Sequence, residues 1–313
     1  MGLIALLAAA CASSGSSATP ASSSAPTPSS AAVASTAPSV APSPTPDACA
    51  ASNLTLLAPG KLTIGTDNPA FPPYFQPDAS GAPTTAPWEL GDPTNGQGFE
   101  SAVAYALAKQ LGFTKDQVAW VYVPFDNSFK PGPKSFDFDI NQISFLPERA
   151  QAVDMTDGYY SVNQAVVALA ANPISKVTSI SGLAPFRFGA QVGTTSLKTI
   201  TDVIKPTKDP SVYDTNDAAI AALKAKQIDG IVADLPTAFF MTGAQLNDKG
   251  TVVGQFALPA GADVEHFSLV LAKGSSLTDC MNGAIKALTD DGTLAALTQE
   301  WLSDKASAPV FTP

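Results

Sequence analysis

Histidine is nearly absent from this chain of 313 residues, where His266 stands alone. Cysteine is scarce too, at Cys11, Cys49 and Cys280. So few imidazoles and thiols argue against a zinc site built from His and Cys, and no metal or cofactor is expected. They also argue against a His-dependent catalytic triad unless His266 serves it. Positive charge is in short supply: 17 Lys and Arg face 27 Asp and Glu, a formal net charge of −10. A chain this acidic is a poor partner for nucleic acid or an anionic membrane surface. The apolar run at the N-terminus, residues 3–10, is too short to cross a bilayer as a helix, which needs about 20 residues.

That run instead has the length of a signal-peptide core. It ends in small residues followed by Cys11. A cysteine so placed resembles the bacterial lipobox, which implies a signal segment over 1–11 and lipid on Cys11. Ala8 stands three before Cys11, where that motif usually has Leu, and no Lys or Arg precedes the run. The second departure fits a true start upstream of Met1. The alternative is an incidental cysteine.

Between Ala12 and Pro46 every residue except Gly15, Val33 and Val40 is Ala, Ser, Thr or Pro, and none is charged. Such a stretch buries too little apolar surface to offset its ordering entropy. A disordered tether over 12–48 is expected, open to O-glycosylation. Leader and tether together place the folded part outside the cell membrane. An exported setting permits disulfides, and with Cys11 lipidated the remaining cysteines are even in number. A Cys49–Cys280 bridge is the simplest expectation, and two buried free thiols are the alternative.

In the folded part, 61–66 alternates and is β-branched, which reads as a strand. Phe99, Val103, Ala106, Leu107 and Leu111 give 99–111 helical spacing. Strands are expected at 118–123, 138–143 and 164–170, with a helical turn at 147–152. The alternation then restarts. Strands are expected at 188–192, 229–233, 251–256 and 267–272. Helices are expected from Thr194 to Ile204 and from a Thr215 or Asn216 cap to Lys226, then at 236–245, 277–288 and 293–302. Alternating strands and helices make an α/β protein with mainly parallel sheets.

Ligands of open α/β sheets sit beyond the carboxyl ends of the strands. Beyond 61–66 comes Asp67 and then Phe71. Beyond 138–143 comes Ser144, with Arg149 five residues on. Beyond 188–192 come Gly193, Thr194 and Thr195 at a helix start. Beyond 229–233 comes Asp234. Arg149 offers a planar fork for a carboxylate. The Gly193–Thr194–Thr195 turn offers N–H groups and hydroxyls to the same anion. Asp234 is an acceptor suited to an ammonium. An anion clamp with a cation acceptor describes an α-amino acid, with Phe71 and Phe125 as an apolar or cation–π wall. Each residue has a plainer reading, as a surface arginine, a helix cap or a turn-forming aspartate. Their coincidence at matching strand ends is what carries the functional one.

The stretches GKLTIGTDNPAFPPYF (60–75), GFESAVAYALAKQLGF (98–113), FDFDINQISFLPERAQAVDMTDGYY (136–160), VGTTS (192–196), ALKAKQIDGIVAD (222–234) and GTLAALTQEWL (292–302) resemble, in order, the extracytoplasmic polar amino-acid binding proteins of ABC importers, solute-binding protein family 3. The resemblance covers about residues 50–305. It implies the two-lobed type II periplasmic-binding-protein fold, an α/β architecture in which each lobe is a mixed, mostly parallel sheet flanked by helices. Lobe 1 would comprise 49–163 with 258–313 and lobe 2 would comprise 166–255, joined by hinge strands near 162–168 and 253–258. Arg149 would hold the ligand's carboxylate from lobe 1, with Ser144 as a hydroxyl ligand five residues before it, and Thr194 and Thr195 would donate to the carboxylate from lobe 2. Asp234 would take the amine. Asn141 and Gln142 would touch the ligand at positions that are usually small. Asp67, Phe71 and Phe125 would shape side-chain specificity. Leu146 stands where the family often has Thr, and the insertion 78–97, with Pro83, Pro87 and Trp88, is placed to cover the cleft edge.

The implied protein is a monomer, lipid-anchored on the outer face of the cell membrane. It captures a free amino acid and delivers it to an ABC permease. Asp67 and Asp234 tilt the ligand toward a neutral-polar or cationic side chain, and glutamate stays open if Lys130 or Lys134 reaches the cleft. A cleft enzyme of the same fold, a dehydratase or cell-wall lyase, is the alternative, with Asp67, Glu100 and Asp234 as its candidate acids and bases. A ligand-sensing ectodomain is the third reading.

Overall fold

The computed structural model describes residues 48–247, 249–257, 264–302 and 308–313. The leader with Cys11, and the tether as far as residue 47, lie outside the described residues. Among the described residues no helix is long and apolar enough to cross a membrane.

Ten strands form two sheets. They are β1 (Leu62–Thr66), β2 (Val118–Tyr122), β3 (Phe138–Asp139), β4 (Asp154–Ser161), β5 (Gln164–Leu169), β6 (Phe188–Gln191), β7 (Ser211–Tyr213), β8 (Gly230–Asp234), β9 (Gly250–Gln255) and β10 (His266–Leu271). The first sheet has the order β2-β1-β3-β10-β4 and the second β7-β6-β8-β5-β9. In the first sheet β10 alone runs against its neighbours, and in the second β5 does. Each sheet is therefore mixed and mostly parallel, the two-lobed α/β arrangement.

The helices are α1 (Phe99–Gln110), α2 (Phe125–Ser128), α3 (Pro147–Ala150), α4 (Ile180–Leu183), α5 (Thr195–Lys198), α6 (Asn216–Lys224), α7 (Leu235–Phe240), α8 (Thr278–Asp290) and α9 (Thr293–Leu302). α1 lays Phe99, Val103, Ala104 and Leu107 into the first core beside Leu62, Ile64 and Phe138. Each large apolar side chain so buried contributes about 1.5–3 kcal/mol. Gly98 opens α1 at φ +96°, and a Cβ there would stand 2.5 Å from the carbonyl oxygen of Tyr74. Only glycine lets the helix start that close to the chain following β1. In the second lobe β5 shows one face (Ala165, Val167) to α6 and α7 and the other (Val166, Ala168) to Phe188 and Ile200. Coverage on both faces explains its uninterrupted apolar run.

The structure departs from the sequence expectations in particular places. The strand expected at 138–143 pairs only over Phe138–Asp139, because Gln142 turns at φ +49° and gives its N–H to Glu100 at 2.7 Å. β4 was not foreseen, since Asp157 and Gly158 break its alternation, and β7 has three residues. The insertion 78–97 does not line the interlobe cavity. It folds over the first core, with Trp88 4% exposed and Asn68 bridging to Pro87 and Glu89. The C-terminal residues 308–313, expected with lobe 1, lie on the second sheet. Val310 bridges to Gln255, and Phe311 packs on Phe256 with ring centroids 5.2 Å apart. An aromatic side chain this apolar follows the nearer uncovered core, and here that core belongs to the second lobe.

Cys49 and Cys280 form a disulfide with a Cα separation of 5.4 Å. It pins the segment before β1, whose Ala51, Leu54 and Leu56 pack on the first core, to α8. The closed loop spans 231 residues. Cross-linking entropy on that scale stabilises by up to about 5 kcal/mol. Replacing both cysteines by serine should lower the melting midpoint by roughly 10 °C in calorimetry. An unchanged midpoint would show that the bond adds no stability.

Glu100, fully buried on α1, accepts from the backbone and side-chain amides of Gln142 and from Tyr159 Oη at 2.5 Å. Burial nevertheless raises its carboxyl from 4.5 to about 7. An acid with a raised folded pKa holds its proton more tightly when folded, so its contribution to stability is full below pH 4.5 and is lost as pH rises toward 7. Glu100→Gln should flatten that fall in stability, read as the slope of melting midpoint against pH from 4 to 8. An unaltered slope would place the dependence on other groups.

Candidate functional site

The two lobes face each other across a cavity of about 60 Å3. All ten residues singled out from the sequence, Asp67, Phe71, Phe125, Asn141, Gln142, Ser144, Arg149, Thr194, Thr195 and Asp234, line it. It opens past Asp67, Phe71 and Phe125 into an adjoining space of about 140 Å3 bordered by Asp126, Asp214 and Asp217.

Arg149, 6% exposed, stands on α3. Its Nη1 donates to the Ser144 carbonyl at 2.6 Å and its Nη2 to the Gly193 carbonyl of the facing lobe at 2.7 Å. Its guanidinium lies over the Phe129 ring at 4.3 Å, with Phe125 at 5.7 Å. Burial lowers its pKa to about 10, so it stays charged at neutral pH. Two of its five N–H donors go to carbonyls, which leaves a fixed cation with donors in hand.

Asp234 ends β8 opposite Gln164, its register partner at the start of β5. Its Oδ1 accepts from Gln164 Nε2 at 2.6 Å. Burial first, and then the charge of Glu265, push its carboxyl well above the usual range. Asp67 follows β1 and accepts from the N–H groups of Asn68 (2.7 Å) and Phe125 (3.3 Å). Burial raises it to about 6. Both acids would gain from a cation beside them.

The remaining members are held as firmly. Thr194 caps α5: its Oγ1 accepts from Leu197 N–H and donates to Gln191 O, so the hydroxyl is committed and the turn offers its N–H groups. Thr195 Oγ1 lies 3.5 Å from Ser144 Oγ across the lobes. Asn141 is 6% exposed, lines the cavity, and its Nδ2 has no hydrogen-bond partner among the described residues. Phe71 meets Phe240 of the second lobe edge-on at 6.0 Å. Neither Lys130, which pairs with Asp126 at 2.8 Å, nor Lys134 lines the cavity.

Sequence reasoning missed Gln164, Gln191, Ser196, Asn216, Thr237 and Glu265. Gln164 and Glu265 share one cause. The search looked beyond strand carboxyl ends, but β5 and β10 run against their neighbours, so their starts lie at that same edge. A polar residue opening an otherwise apolar strand, as in QAVVAL, is the signal that finds Gln164.

The family model described as bacterial extracellular solute-binding proteins, family 3, matches residues 78–304. The arginine-binding extracellular protein ArtP of Bacillus subtilis (strain 168) is 26% identical over 235 residues, covering 69% of this chain and 82% of the relative. The ABC transporter arginine-binding protein 1 of Escherichia coli (strain K12) is 29% identical over 211 residues, covering 65% and 81%. Among solved structures, an ancestral arginine-binding protein bound to arginine superposes with a TM-score of 0.61 at 26% identity, covering 78% of this chain and 98% of that one. With a family model matched over most of the folded part and a two-lobed cleft of the matching architecture, the chain belongs to the bacterial extracellular solute-binding proteins of family 3.

Proposed function

We propose that this protein binds an α-amino acid with a polar or cationic side chain in the interlobe cleft, without turnover, and delivers it to an ABC permease. The observation that carries this reading is the pairing of a buried guanidinium on one lobe with a buried carboxyl on the other, both lining one cavity. Arg149 takes the carboxylate through two parallel hydrogen bonds, helped by the N–H groups of the Thr194–Thr195 turn. Asp234 takes the ammonium. Asp67 and the acids of the adjoining space, Asp126, Asp214 and Asp217, receive the side chain between Phe71 and Phe125, with Asn141 and Gln142 at the floor.

The lobes are taken as 49–163 with 264–302, and 166–255 with 308–313, hinged where the chain passes between the sheets. Neither lobe holds both ends of the ligand, so only the closed form satisfies them all, and differential affinity shifts the population to it. A lipid on Cys11 and the 12–48 tether would hold a monomer beside its permease and raise its effective concentration there.

A thermal-shift screen of the twenty amino acids should show stabilisation by polar or cationic members. Arg149→Ala should weaken the best of them by roughly 100-fold in calorimetry, the cost of about 3 kcal/mol for losing a charged, desolvated hydrogen-bond pair. Unchanged affinity removes Arg149 from the site. Asp234→Asn should weaken the amino acid more than its deaminated analogue, and equal loss for both argues against an ammonium contact.

A further inference from the structure

Glu265 is absent from the cavity lining, yet it touches the cavity's polar wall. It stands just before β10 and borders the neighbouring space of about 360 Å3 beyond Ser144 and Thr195. Its Oε1 accepts from Ser144 Oγ at 2.7 Å. It also accepts from Gln164 Nε2 at 3.2 and 3.4 Å, and that same nitrogen donates to Asp234 Oδ1 at 2.6 Å. Gln164 Oε1 is in turn fixed by Ser196 Oγ at 2.7 Å. One anchored amide thus bridges a carboxylate from each lobe.

This arrangement dictates what Ser144 can do. A serine hydroxyl has one proton and two lone pairs. With the proton on Glu265, Ser144 Oγ presents only lone pairs to the cavity. It cannot donate to a ligand carboxylate, and it suits a ligand N–H. Asp234 keeps Oδ2 clear of any described partner. An ammonium carries three N–H donors, so an acceptor beside Asp234 has a use.

We propose that Glu265 is a positioning and specificity-determining residue: it draws the Ser144 hydroxyl proton away from the cleft, making Ser144 an ammonium acceptor, and places a second carboxylate beside Asp234. The inference rests on the amino-acid reading above and sharpens it, since it gives the Ser144 hydroxyl to the ligand's amine end. It also gives closure a condition. Bringing Glu265 of the first lobe against Asp234 of the second sets two like charges together, which a cation between the lobes relieves. A ligand lacking the amine leaves that repulsion in place.

The test uses calorimetry on the whole chain with two probes. They are the amino acid that most stabilises the wild type in the thermal-shift screen and the 2-hydroxy acid carrying the same side chain. Glu265→Met, of similar length and with no acceptor or charge, should weaken the amino acid at least tenfold and leave the hydroxy acid within about twofold. Glu265→Gln, which keeps one acceptor, should lose less. Ser144→Ala should show the same selective loss, and Ser144→Ala with Glu265→Met should lose less than the two single losses combined. Ser144→Ala carries the test if Glu265→Met does not fold. Equal losses for both probes, full additivity, or unchanged affinity in the single variants overturns the proposal while leaving the amino-acid reading intact. A wild type that binds none of the twenty amino acids overturns that reading itself.

Discussion

The arrangement of this protein turns on one desolvated cation. Arg149 is buried against an aromatic face and held by carbonyl oxygens from both lobes. A charge so far from water must be compensated locally. Backbone carbonyls do part of this, and the rest of the guanidinium is left with donors aimed into a cavity whose opposite wall is acidic. The fixed cation at one end and the paired carboxyls at the other impose an electric polarity on a small space. A zwitterion is the molecule whose charges run the opposite way.

Eight of the ten strands and the family resemblance were legible because apolar alternation and strand-end polar residues survive in short motifs. Asp67, Ser144, Thr194, Thr195 and Asp234 were legible for the same reason, since each follows a strand or opens a helix, whereas Asn141 and Gln142 were placed by the family resemblance alone. Gln164 and Glu265 were not, because strand direction decides which end of a strand faces the ligand, and direction is a property of the whole sheet. Phe311 was assigned to the wrong lobe because sequence proximity to α9 says nothing about which core has room for an aromatic ring. Trp88 was read as cleft cover, whereas a large indole in a Pro-rich insertion has more to gain from the first core than from the rim.

The acids of this chain divide by environment rather than by type. Asp229 is held down to about 2 by the Arg187 fork at the surface. Glu100 rises to about 7 although three donors point at it, because full burial outweighs them. Glu100 also fixes the Gln142 turn, so the floor of the cavity is set by a carboxyl that touches no ligand in the proposed scheme. This is why its titration is expected in stability. The acids at the cavity wall, Asp67 and Asp234, accept no hydrogen bond from a guanidinium among the described residues, and burial raises both.

The C-terminal strap has a geometric consequence. α9 ends on the first lobe at Leu302, and Ala308 is already against the second, beside Gln255. Six Cα-to-Cα steps separate these anchors, and an extended chain advances about 3.5 Å per step. While both ends stay docked, this leash limits how far the two anchor points can part to roughly 20 Å. The two sheets are therefore joined by a third covalent connection besides those between β4 and β5 and between β9 and β10, and it caps the span between these two anchors.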